Sequence, residues 1–208
     1  MHSSQDQTLL CGLQADTGFA AAEAHAIAAQ AMHWLRAAVI GLNLCPFAKA
    51  PVQKQQLRLR ISAASTPEQL LTDLQQELAL LAGSPAEVLE TTLLIHPRVL
   101  QDFYDYNDFL DPADALLEEL DLVGELQIAS FHPDYQFADS QPDDIENCTN
   151  RTPWPCLHLL REESLDRAVQ AFPEAETIWR KNQETMRQLG WEGWQALMRQ
   201  PDADDAAK

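Results

Sequence analysis

The chain is 208 residues long with 46% hydrophobic residues, and no Gly/Ser-rich linker divides it, so the expectation is one domain around one buried core. Its 14 Lys and Arg stand against 32 Asp and Glu, a formal net charge of −18. That balance opposes extended contact with a nucleic-acid backbone, which needs many basic side chains to neutralise phosphates, so nucleic acid and anionic membrane surfaces are excluded as partners.

Residues 1–15 are polar and unpatterned and read as a disordered N-terminus, the globular domain is expected over 16–199, and 200–208 reads as a disordered tail. The first fifteen residues lack a basic stretch followed by an apolar one, so no secretory signal is expected and the location reads as cytoplasmic. Asp16 or Thr17 is placed to cap a helix running to about Leu42, its end weakened by Gly41. Ile27, Trp34, Leu35, Ala38 and Leu42 fall on one apolar face of that helix. Its polar members Glu23, His25, His33 and Arg36 make it unsuited to spanning a membrane.

Leu57 to Ile61 alternates Leu-Arg-Leu-Arg-Ile, the period of a half-buried strand with Arg58 and Arg60 on one face. Thr66, Pro67 and Glu68 open a helix that continues to about Leu81, ahead of Gly83. Glu90 to His96 reads as a strand stopped by Pro97. A helix follows, with a break at Asp111-Pro112 and an end near Val123-Gly124. Leu126 to His132 is a further strand stopped by a proline, and Cys156 to Arg161 is the last. Helices are expected near Ser164 to Ala171, Glu174 to Leu189 and Trp191 to Met198.

This order predicts an α+β fold: a single domain with about four strands in a mixed sheet covered by helices, a long N-terminal helix and a helical C-terminus. The first three strands can be joined by right-handed parallel crossovers, and the long loop before the fourth permits an antiparallel return. A ligand cleft is then expected outside the carboxyl ends of the parallel strands, beside His96 and His132.

Charge is unevenly placed. Between Asn43 and Pro67 lie Lys49, Lys54, Arg58 and Arg60 and no acid, whereas 101–146 holds fourteen acids and no Lys or Arg. The acidic region reads either as a solvated face or as a surface for a basic protein partner or a weak cation site. A small anionic molecule is not excluded, because exposed charges beyond a Debye length of roughly 8 Å are screened. Arg151 and Arg161 can clamp its carboxylate or phosphate, or can simply pair with neighbours such as Glu146 and Glu162.

The chemically versatile residues concentrate in 131–162 and around Cys45. Cys45, just past the first helix, gains no activation from a helix C-terminus and needs an imidazole such as His132 or His158 to act as a nucleophile; otherwise it is a buried structural thiol. His132 sits at a strand-to-loop transition, where it can act as a base oriented by Asp134 or can fix its own loop. His158 shares a strand face with Cys156 and Leu160 and reads as a satisfied, half-buried histidine. Cys11, Cys45, Cys148 and Cys156 show no CxxC spacing and read as free thiols in a reducing compartment. Cys148, Cys156, His132 and His158 can be drawn as a tetrahedral zinc set, but their spacing matches no finger or ribbon, and no metal ligand is assigned. In the long loop between the last two strands, Tyr135, Asn150 and Arg151 are ligand candidates, or else they satisfy the loop's own carbonyls.

Four segments in order, Asn43-Leu44-Cys45-Pro46-Phe47, His132-Pro133-Asp134-Tyr135-Gln136-Phe137, Asn150-Arg151 with Pro153, and His158-Leu159-Leu160-Arg161-Glu162, resemble an uncharacterised bacterial family catalogued as domain of unknown function fourteen-fifteen. The resemblance runs from about Ala29 to Leu197. It implies a bacterial cytoplasmic protein and no stated activity or cofactor; Cys148 and Cys156 are not fixed in its pattern, which leaves Cys45 as the thiol of interest. The leading expectation is a small-molecule enzyme with Cys45 as nucleophile or redox thiol, His132 as base, Asp134 as its orienter and Arg151 as an anion clamp, with Asn43, Tyr135, Asn150, His158 and Arg161 binding ligand. A noncatalytic binding or regulatory protein is the alternative, and a zinc protein the third.

Overall fold

Backbone pairing places five strands in one sheet: β1 (Gly12–Ala15), β2 (Leu57–Ile61), β3 (Thr91–Ile95), β4 (Leu126–Phe131) and β5 (Cys156–Arg161), in the spatial order β1-β2-β3-β5-β4. The computed structural model describes residues 12–16, 18–171 and 177–199. β1, β2 and β3 are parallel neighbours, while β5 runs antiparallel to both β3 and β4. The three strands expected to share a direction therefore do so, but the returning strand is inserted between the second and third of them. The fold is α+β in a single domain, with one strand more than expected.

That extra strand, β1, forms from residues assigned above to a disordered N-terminus. Its sequence carries no period-two signal because Gly12 and Ala15 are exposed. The strand is held by backbone pairing to the edge of β2, from Gly12 opposite Arg58 to Ala15 opposite Ile61. Residues 1–11 and 200–208, and the expected cap Thr17, lie outside the described residues. Asp16 does not cap a helix. Its carboxylate accepts from Arg60 Nη2 at 2.5 Å and from the Ala63 N–H at 2.8 Å, which ties the end of β1 to β2.

The first helix, α1 (Ala21–Trp34), starts later than expected and passes directly into a π-turn at Leu35–Ile40. There the Gly41 N–H reaches Arg36 O, five residues back, and the Leu42 N–H reaches Ala38 O, four back, so both pass over the Ala37 carbonyl. A short helix not anticipated from sequence, α2 (Lys49–Gln53), leads into β2. Helix α3 (Pro67–Ala82) begins as expected, with the Thr66 hydroxyl accepting the Gln69 N–H. Helix α4 (Phe103–Glu119) is capped by Asp102, which accepts the N–H groups of Tyr104 and Asp105. It continues through Pro112 without the expected break, because Pro112 and Asp108 lie on the exposed face, where the carbonyl left without its N–H donor is open to water. Helix α5 is Glu162–Ala171, and the two expected C-terminal helices form one element, α6 (Ile178–Met198), broken at Gly190 where φ is +64°.

The strand alternation sorts side chains onto two cores. Leu94, Leu157, Leu159 and Leu126 pack against Leu70, Leu74 and Leu78 of α3 and Tyr106 and Phe109 of α4. Leu57, Leu59, Ile61, Leu93 and Ile95 pack on the other face, against Ala28, Trp34, Leu35 and Val39 of α1 and its π-turn and Met186 and Trp194 of α6. Arg58 and Arg60 point to the α3 side. There Glu77, only 4% exposed, accepts from Arg58 Nε at 2.7 Å and forms an ion pair with Arg60 Nε at 3.3 Å. Both guanidinium groups are thus neutralised within the fold, away from any ligand.

Candidate functional site

On the α1 side the core does not close. Between the π-turn, α2, α5 and the sheet lies a cavity of about 650 Å³, walled by Trp34, Leu35, Val39, Phe47, Val52, Leu57, Leu93, Ala129, Phe131, Leu160 and Leu165. Trp34 and Phe131 meet edge to face at 5.3 Å. The rim carries Lys54, Gln56, Glu87 and Glu90, the residues just before β2 and β3. The opening is therefore at the amino ends of these strands, the end opposite to the one expected. At the carboxyl ends the space beside His96 and His132 on the α4 side is filled: His96 stacks on Tyr106 at 5.7 Å, and His132 packs on Tyr106 at 5.1 Å and Phe103 at 5.5 Å. Tyr106 fastens that end by donating to Cys156 O at 2.9 Å and accepting the Phe131 N–H at 3.0 Å.

Two chemically versatile groups face the cavity, His158 and Cys45. His158 on β5 stands beside Thr91 on β3, with its Nε2 2.8 Å from Thr91 Oγ1. The Thr91 hydroxyl donates its single proton to Leu159 O at 2.6 Å, so its oxygen is left to accept from His158 Nε2–H. The tautomer follows: Nδ1 carries a bare lone pair, and among the described residues nothing donates to it. Burial pushes His158 down to about 4, so it is neutral at pH 7. Cys45 sits in a turn where the N–H groups of Phe47 and Ala48 stabilise its thiolate, yet burial outweighs them and its pKa is raised. Among the described residues no hydrogen bond joins Cys45 to His158.

A family model described as Protein of unknown function (DUF1415) matches residues 26–196. The chain belongs to that family. No curated protein and no solved structure matches it. The matched region covers every wall of the cavity, from the π-turn to α5, and leaves β1 outside. The four segments that carried the family resemblance divide between the cavity and the scaffold around it.

Of the DUF1415 residues singled out from sequence, Cys45, His158 and Arg161 line the cavity. Arg161, however, is spent on main chain: its guanidinium donates to Leu81 O, Ser84 O and Leu89 O at 2.6, 2.6 and 3.0 Å, closing the C-terminus of α3. Arg151 likewise donates to Tyr135 O at 3.1 Å and Pro142 O at 2.7 Å, and Asn150 Nδ2 to Ser130 O at 3.3 Å. Asn150 and Arg151 hold the long loop together, and the guanidinium groups of Arg151 and Arg161 both already donate to main-chain carbonyls. Arg151 also borders a separate groove with His33 and Trp194. Glu146, one of its proposed neighbours, pairs with Arg187 instead.

His132 lies on the α4 side of the sheet, away from Cys45. Its Nε2 donates to Leu100 O at 3.2 Å, and its Nδ1 accepts the Asp134 N–H at 3.0 Å. Both ring nitrogens are occupied, burial lowers its pKa, and Asp134 orients it through its main chain. Tyr135 continues the aromatic stack, 5.3 Å from Phe103. Asn43, at φ +55°, borders a polar groove with Asn182 and Lys181 of α6. Cys148 and Cys156 are buried thiols, pushed up by burial to about 11 and about 12. Among the described residues no three His, Cys, Asp or Glu side chains converge as a metal site, and no helix is long and apolar enough to cross a membrane.

Sequence reasoning missed Thr91, which fixes the His158 tautomer, and the apolar walls Val39, Ala129, Phe131 and Leu165. A threonine opening a run of apolar strand residues was the one available signal. The walls carried none, since their types are those of any core.

Proposed function

We propose that this protein binds a small organic molecule in the cavity beneath the π-turn, as a ligand-binding protein and not as a thiol enzyme. The observation that carries this reading is an apolar space of about 650 Å³ lined by a histidine one of whose nitrogens has no partner among the described residues. Ligand pockets of roughly 300–1,000 Å³ with apolar walls and a few placed polar groups are the usual small-molecule sites. The electrostatics of the site favour binding over catalysis. A thiol whose pKa burial raises is a poor nucleophile at pH 7, and an imidazole that takes up a proton only near pH 4 is a feeble base there.

The test is titration with N-phenyl-1-naphthylamine, an uncharged probe that fluoresces in apolar surroundings. Wild-type protein is expected to bind it saturably at one site. Ala129→Phe, which fills the cavity from the floor of the sheet, is expected to abolish binding while the far-ultraviolet circular dichroism stays unchanged. Absence of saturable binding to the wild type would refute the proposal.

A cysteine-based reaction is the second reading, favoured by the placement of Cys45 in the same cavity as the His158 lone pair and beneath two N–H groups. It is separated from the first by alkylation of Cys45 with iodoacetamide across pH. A reactive form with a midpoint below the unperturbed value of about 8.5 supports thiol chemistry. A midpoint above it supports binding alone.

A further inference from the structure

We infer that the ligand of this cavity is an uncharged, largely apolar molecule that presents one O–H or N–H donor to His158 Nδ1. The inference rests on the small-molecule reading above and narrows it to a chemical class, such as a phenol or an alcohol. Three observations carry it. The first is the fixed tautomer. Because Thr91 gives its only proton to Leu159 O, it can hold His158 only by accepting from Nε2–H, and Nδ1 is left as an acceptor on a ring that lines the cavity. A ligand that itself offers only an acceptor there leaves two lone pairs facing one another.

The second is the charge around the space. Lys54 and Arg167 on the lining are offset by Glu87 and Glu90, and Arg167 is already held by Glu163 at 2.8 Å and Ser164 at 2.9 Å. Arg161, the remaining cation of the lining, is occupied by three carbonyls. Among the described residues only Lys54 of the lining cations has no partner, and it stands exposed at the rim, so a head group buried in the cavity meets cations that are already engaged, and burying an ion without a partner is strongly unfavourable. The third is the nature of the walls: they include Trp34, Leu57, Leu93 and Phe131, whose side chains can contribute only apolar contact and, from Trp34, one N–H. The His158 lone pair is thus the acceptor available to a buried donor, and Cys45 adds only a weak S–H.

The closing experiment compares three ligands that share a ring system: 2-naphthol, its methyl ether and 2-naphthoate, each measured by displacement of N-phenyl-1-naphthylamine at pH 7. The naphthol is expected to bind about tenfold more tightly than the ether, the factor given by one neutral hydrogen bond, with the carboxylate weakest. His158→Phe is expected to remove the preference for naphthol while the ether still binds. Thr91→Val, nearly isosteric, frees the tautomer and is expected to narrow the preference without removing it. Equal binding of naphthol and ether to the wild type, or tightest binding of the carboxylate, overturns the inference and leaves the small-molecule reading standing. Failure of the probe and of all three ligands to bind overturns both.

Discussion

Acidification should destabilise this fold through the buried His96 and the half-buried His158. His96 is fully buried, donates Nδ1–H to Val99 O at 3.0 Å and among the described residues has no partner for Nε2, and burial pushes its pKa down to about 4. Burial also pushes His158 down to about 4. In the unfolded chain both return to about 6.5. Between these values the unfolded chain binds two protons that the folded one refuses. Stability is therefore full above about pH 6.5 and falls as the pH drops towards 4. The depression corresponds to roughly 3 kcal/mol for each histidine, or roughly 6 for the pair, at pH 4 relative to pH 7. The assay is urea unfolding at several pH values between 7 and 4, on wild type and on the double variant His96→Asn with His158→Gln. The asparagine amide nitrogen can replace Nδ1 as donor to Val99 O, the glutamine amide nitrogen can replace Nε2 as donor to Thr91, and neither titrates. Carboxylates and His132 titrate alike in both proteins, so their contribution cancels in the difference. The double variant is expected to lose most of the dependence between pH 6.5 and 4. Parallel profiles for the two proteins would refute the reasoning.

Three further outcomes are expected. Gly41→Ala should destabilise by about 2 kcal/mol or more by urea unfolding, because a Cβ there would lie 2.2 Å from the Ala37 carbonyl oxygen. In an ordinary exposed helix the same change stabilises by up to about 1 kcal/mol, so the sign of the effect reports the π-turn, and stabilisation would refute the prediction. Arg161→Met should cost about 2 kcal/mol or more in the same assay, since three carbonyls lose their donor, with little change in binding of the naphthol. Unchanged stability with lost binding would instead make Arg161 a ligand residue. Tyr106→Phe should cost about 1–3 kcal/mol by unfolding, because it strips one partner each from Cys156 O and the Phe131 N–H.

Much of the architecture was legible wherever side-chain period and burial agree. Leu57 to Ile61 alternates in sequence and in burial, and Thr66-Pro67 opens a helix as its chemistry dictates. β1 was illegible because its order comes from backbone pairing with β2 and from the Asp16 contacts, neither of which leaves a hydrophobic pattern. Asp16 was read as a cap because a carboxylate before a helical run is the usual capping signal, but Arg60 competes for it successfully. The site was legible in its polar members only. Cys45 and His158 stood out by type, and both line the cavity. His132, Arg151 and Arg161 stood out equally, yet their groups go to carbonyls or main-chain N–H groups. A sequence displays a guanidinium or an imidazole; which main-chain atom satisfies it depends on loop paths that only the fold defines.

The insertion of β5 between β3 and β4 orders events during synthesis. β4 pairs with β5 alone, so when residue 131 has been made this strand has no neighbour in the sheet. β1, β2 and β3 can already pair with one another, but β4 must wait for about thirty more residues before β5 can join it to them. On a chain emerging at roughly 5–20 residues per second, that leaves an unpaired strand exposed for a few seconds, and a chain that stops before Cys156 cannot complete its sheet.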